Sequence, residues 1–151
     1  MLRQNISDAL KASMKEKNQL SVSTLRLILA SIKDRDISAR AKGNQDGIDD
    51  NELLSLLQSM IKQRHESIHL YEKGKRMELV KQELEEISII ETFLPTPLSD
   101  EELSDAIDHV IQEVGAKSIK EMGKVMGILK QKFAGRVDFA KSSQEVKERL
   151  K

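Results

Sequence analysis

The sequence predicts an all-α protein with an N-terminal layer of antiparallel helices and a small three-helix tail domain. Three observations predict it. Apolar residues recur at helical spacing along almost the whole chain. Charged residues make up 33% of the 151 positions and aromatics only 3%, a balance that suits solvent-facing helices better than sheets. The only two prolines, Pro95 and Pro97, stand together, and proline cannot continue a helical hydrogen-bond ladder. The expected boundaries are therefore 1–94 for the helical layer, 95–98 for a proline linker and 99–151 for the tail.

The elements follow in order. Ile6, Leu10 and Met14 mark a short first helix. Leu25, Ile28, Leu29 and Ile32 mark a second, with Ser21 and Ser23 as its cap candidates. Gly43 to Gly47 is a polar break, and Asp49 with Glu52 forms a capping-box pattern for a long third helix. That helix is striped by Leu53, Leu57, Met60, Ile61, Ile68 and Tyr71, and Gly74 interrupts it. Leu79, Val80, Leu84, Ile87, Ile90 and Phe93 stripe a fourth. Long helices with short breaks bury their stripes as hairpins. After the prolines, Ser99 and Glu102 open a helix that ends at Gly115; Ser118–Glu121 and Ser142–Glu145 repeat the capping pattern. Roughly fifty residues make a small core, so the tail is expected to lean on the helical layer or on a partner.

Several classes are excluded or disfavoured. There is no cysteine, which removes disulfides and thiolate zinc sites. The opening Met1-Leu2-Arg3-Gln4 lacks the apolar core of a secretory signal, and the longest apolar run, Leu27-Ile28-Leu29-Ala30, is far too short to span a bilayer. The expectation is a soluble, cytoplasmic protein. No nucleophile stands at diagnostic spacing from a base, and no phosphate loop or dinucleotide fingerprint is present. No catalytic residue and no cofactor are assigned.

His65-Glu66-Ser67-Ile68-His69 reads H-E-x-x-H. On a helix both imidazoles share a face, and Glu66 would be the base for a zinc-bound water. A zinc hydrolase needs a third ligand. The only other histidine is His109, and in a chain this rich in Glu a nearby Glu86 or Glu91 carries little weight. The preferred reading is two ordinary surface histidines and no metal site.

Net charge is zero, yet the charges are segregated. Glu83 to Glu113 holds ten acids and no Lys or Arg; Gly115 to the end holds ten bases against four acids. The basic end suits an anionic partner, or acidic and basic helices neutralise one another side by side. Charge alone leaves both open.

The segment Glu121 to Lys130 is the most informative. Ile119, Met122, Val125, Met126 and Leu129 share a helical face and read as core. Gly123 and Gly127 stack on one strip beside it, flanked by Lys120, Lys124 and Lys130. Glycine within a helix costs about 1 kcal/mol relative to alanine. Either a neighbouring helix packs closely there, or another molecule, such as a phosphate chain, approaches bare backbone. Beyond it, Gly135 is expected at positive φ, Asp138 as a brace, and Arg136 presented on the loop, where it forks onto a phosphate or pairs with the acidic helix.

Met122-Gly123-Lys124-Val125-Met126-Gly127, then Lys132, Gly135-Arg136, Asp138, Val146 and Leu150, resembles the tail of the GatB/YqeY family. Thr24-Leu25-Arg26 and Leu94-Pro95 with Leu98-Ser99 extend the resemblance over essentially the whole chain. His65 and His69 depart from the family pattern. In longer relatives this region is the appendage of the B subunit of the tRNA-dependent amidotransferase. The resemblance implies a tRNA-associated binding module, with Lys124, Gly127, Lys132, Gly135 and Arg136 nearest the RNA. Together with Lys120 and Lys130 from the glycine strip, these form the expected tRNA-binding set. Any carbon–nitrogen ligase activity with glutamine as amide donor would belong to the longer relatives, whose catalytic cradle is absent here. The alternative is a protein–protein adaptor within an aminoacylation assembly.

Overall fold

The computed structural model describes all 151 residues. It is entirely helical, as the periodicity predicts: α1 (Leu2–Lys15), α2 (Gln19–Ala41), α3 (Asp50–Lys73), α4 (Met77–Glu91), α5 (Asp100–Val114), a short 3-10 turn (Ile119–Glu121), α6 (Met122–Lys132) and α7 (Phe139–Arg149). The chain divides into two compact units, Met1–Leu94 and Pro95–Lys151. No helix is long and apolar enough to cross a membrane.

In the first unit, α1 and α2 form one hairpin and α3 and α4 another, and α2 also packs on α4. Each hairpin turn carries one lysine in the left-handed region, Lys17 and Lys75. The core is built from Ile6, Leu25, Ile28, Ile32, Leu53, Leu57, Met60 and Ile90. A smaller cluster of Ile68, Val80 and Ile87 closes the outer half of the second hairpin. Leu84, expected in the α4 stripe, is instead 49% exposed, because the buried face of α4 runs through Val80, Ile87 and Ile90.

A buried carboxylate ties the first unit together. Asp36, on α2, accepts both ends of the Arg3 guanidinium at 2.6 and 2.7 Å and the Ile48 N–H at 2.9 Å. Arg3 also donates to the Ile48 carbonyl at 2.7 Å. The α1 start, the last two turns of α2 and the loop into α3 thus meet at one charge. The hydrogen bonds from Arg3 hold the Asp36 pKa down to about 2, against the opposing effect of burial. Gly47, at φ 80°, lies against this carboxylate, and a Cβ there would collide with it.

Capping decides the element ends. α2 begins earlier than Ser21 or Ser23 suggests: Asn18 is its cap and accepts from the Ser21 N–H at 3.2 Å. Asp49 caps α3. Ser99 and Glu102 form a complete capping box on α5, and Gly115 ends that helix in the left-handed conformation. The other two boxes do not form. Ser118 precedes the 3-10 turn without a side-chain cap bond, because α6 starts only at Met122. Ser142 lies fully buried inside α7, whose cap, Asp138, stands four residues sooner.

The second unit packs α5, α6 and α7 around Leu103, Ile107, Val110, Val125, Met126, Leu129, Val146 and Leu150. Pro95–Leu98 is bound into it: the Leu98 N–H donates to the Arg136 carbonyl at 2.9 Å.

Candidate nucleic-acid interface

α6 exists because its apolar residues Val125, Met126 and Leu129 face α5 and α7 and are buried. The 3.6-residue period then turns Gly123 and Gly127 outward. Both are exposed, and a Cβ added at either would meet nothing within 4 Å. Helix packing within this chain therefore does not explain them. Lys120, Lys124 and Lys130, which border the strip, are all exposed and form no ion pair or side-chain hydrogen bond. Bare backbone and three free ammonium groups make a face able to accept a polyanion at close range.

The remaining members of the expected set are placed differently. Lys132 is exposed but bonds Glu113 on α5 at 2.8 Å, and this bond lowers the Glu113 pKa. Gly135 has the positive φ expected of it, 75°, and is buried, so it shapes the loop. Arg136 is half-buried, and its Nε donates to the Thr96 carbonyl at 2.7 Å. That bond fastens the proline segment to the α6–α7 loop. Sequence reasoning could not see this bond, which joins residues 40 positions apart. Asp138 caps α7 through the Ala140 and Lys141 N–H groups at 2.9 and 3.4 Å.

Part of the charge segregation is neutralised inside the second unit. Besides Lys132–Glu113, Lys141 pairs with Asp100, and Arg149 with Asp108 at 3.3 Å. The Lys141 bond raises that lysine's pKa. These pairs bind the acidic α5 to the basic α6 and α7 and leave the lysines of the α6 strip unpaired, along with Lys117, Lys147 and Lys151.

His65, Glu66 and His69 are exposed along α3, where they border a shallow, open depression with Lys62 and Leu70. No third ligand is gathered there, and no group of three metal-ligating side chains occurs elsewhere. Glu86, the nearest sequence candidate for a third ligand, instead accepts from the buried Arg64 at 3.3 Å.

The class is thus an all-helical protein of two units whose second unit carries a glycine strip bordered by unpaired lysines. A family model described as Yqey-like protein matches residues 3–150, and the chain belongs to that family. It is similar to "Altered inheritance of mitochondria protein 41, mitochondrial" of Clavispora lusitaniae, with 33% identity over 109 residues, covering 71% of this chain and 61% of that protein. The protein of the same name from Lachancea thermotolerans is 35% identical over 112 residues, covering 73% and 58%. The Kluyveromyces lactis protein is 32% identical over 139 residues, covering 91% and 70%. The chain spans about three fifths of the length of the first two. These names overturn the expected cytoplasmic location, since all three relatives are named as mitochondrial. The physical reason is that mitochondrial targeting segments are amphipathic and Arg-rich, so the lack of an apolar run did not discriminate.

Proposed function

We propose that the protein is a tRNA-associated binding module whose contact face is the glycine–lysine strip of α6. The observation that carries this reading is the open space over Gly123 and Gly127, bordered by the unpaired Lys120, Lys124 and Lys130. Glycine at two helical positions weakens α6, and nothing in the chain packs against either one to offset this. A phosphate backbone lying over bare helix gives the glycines a purpose, and the lysines supply charge for it. The resemblance to the amidotransferase B-subunit tail supports tRNA as the RNA class. The mitochondrial naming of the relatives is compatible with this and selects no particular tRNA.

Fluorescence anisotropy with tRNA at two salt concentrations tests the proposal. The control is Lys120→Glu/Lys124→Glu, because both side chains are exposed and structurally unengaged. Saturable binding that weakens with salt and with the control supports the strip. No binding at low salt rejects the proposal for this chain and directs the search to a protein partner in an aminoacylation assembly.

A further inference from the structure

His65 and His69 stand one turn apart within α3, which runs on to Lys73. Arg64 and Ile68, each one position earlier, are buried: Arg64 pairs with Glu86 at 3.3 Å, and Ile68 packs with Val80 and Ile87. That burial fixes the rotation of the helix and turns both histidines to solvent. Residues four apart on a helix have Cβ atoms about 6 Å apart, so one ion about 2 Å from a nitrogen of each ring can bridge them. Both rings border the same shallow depression, and neither makes a hydrogen bond or ion pair within the chain.

The other residues around the depression are Lys62, Glu66 and Leu70. Lys62 and Glu66 carry opposite charges that offset one another, which leaves the imidazole nitrogens as the groups that select a ligand. Neutral imidazole suits zinc, copper and nickel ions, whereas magnesium and calcium take oxygen ligands. A zinc hydrolase needs three protein ligands, and no third is gathered here. Reversible binding of an ion needs fewer: two rings held on one helix face act as a chelate, and water fills the remaining positions.

We infer that His65 and His69 form a two-point site on the first unit for a divalent transition-metal ion of the zinc class. The pair is preorganised only while α3 is helical, so the ion binds the folded chain better than the unfolded one and stabilises it. The site shares no residue with the glycine–lysine strip of α6 and does not depend on the RNA-binding reading.

Zinc, and magnesium for comparison, are titrated into the untagged full-length chain and followed by calorimetry and thermal unfolding. The informative variant is His69→Leu/Leu70→His. Both positions are exposed, so the exchange keeps the composition and the number of histidines while moving one ring off the shared face. His109→Ala removes the third histidine of the chain. Wild type and His109→Ala should each take up one zinc ion per chain, ignore magnesium, and melt about 3–5 °C higher at a tenfold excess of zinc over Kd. The exchange variant should bind zinc roughly tenfold more weakly and lose the thermal shift. No uptake of zinc by wild type overturns the site, as does equal affinity in the exchange variant or loss of binding in His109→Ala. One ion per two chains, with a dimer in sedimentation, also overturns it, because the ion is then held between copies rather than by one helix.

Discussion

Asp36 shows how much of this fold hangs on single side chains. Its folded pKa of about 2 lies below the ordinary 3.8, so the stability it contributes is complete above about pH 4 and is lost as pH falls through 2. Arg3 is partly exposed, which limits the contribution to about 1–2 kcal/mol. Urea unfolding of the wild type should weaken between pH 4 and 2.5, and Asp36→Asn should be less stable at pH 7 with a flatter acid limb; parallel limbs would remove Asp36 from the account. Thr24 poses the opposite case. Its hydroxyl is buried without a hydrogen-bond partner, so Thr24→Val, which keeps the shape, should raise the unfolding free energy by about 1 kcal/mol. Arg64 is a buried charge: it pairs with Glu86 beside Glu83, whose pKa is raised by burial and then by the neighbouring Glu86. Glu86→Ala strands the Arg64 charge and should cost roughly 2–4 kcal/mol by the same unfolding measurement.

α6 separates stability from binding. Gly127 is mid-helix in open space, so Gly127→Ala should raise the melting temperature, by about 0.5–1 kcal/mol in stability, while lowering tRNA affinity. A fall in melting temperature would show that a neighbour fills the space; unchanged affinity would remove the glycine from the contact face. α6 also shows what could be read in advance. Its apolar face was legible from the spacing of Val125, Met126 and Leu129, because burial repeats with the helical period. α5 was legible for a local reason: Ser99, Glu102 and Gly115 satisfy its ends without help from elsewhere. α7 was not. Ser142 looked like a cap but lies one turn before Val146 on the buried face, where a small side chain fits the core. The bonds of Lys132 and Arg136 were not legible, because their partners, Glu113 and Thr96, are distant in sequence, and such pairings follow from tertiary packing rather than from pattern.

Across the whole molecule the charges balance, so net charge adds nothing to the attraction of RNA. Affinity must come from the local strip. The three unpaired lysines of the strip predict that log affinity for tRNA falls with log salt at a slope of magnitude roughly 2–3. Lys132 is already engaged with Glu113, so Lys132→Gln should change that slope less than Lys124→Gln, as salt titrations of the two variants would read. Equal changes would mean that the Glu113 pair opens when RNA arrives. The proline segment offers a different kind of handle. Pro95 and Pro97 have no amide hydrogen, so Thr96 and Leu98 alone can report from this stretch by deuterium exchange. Leu98 donates to Arg136, and its label should be retained long after that of an ordinary non-helical residue. One slow amide between two prolines and a helix start becomes a built-in clock for how often the second unit opens, readable without any mutation.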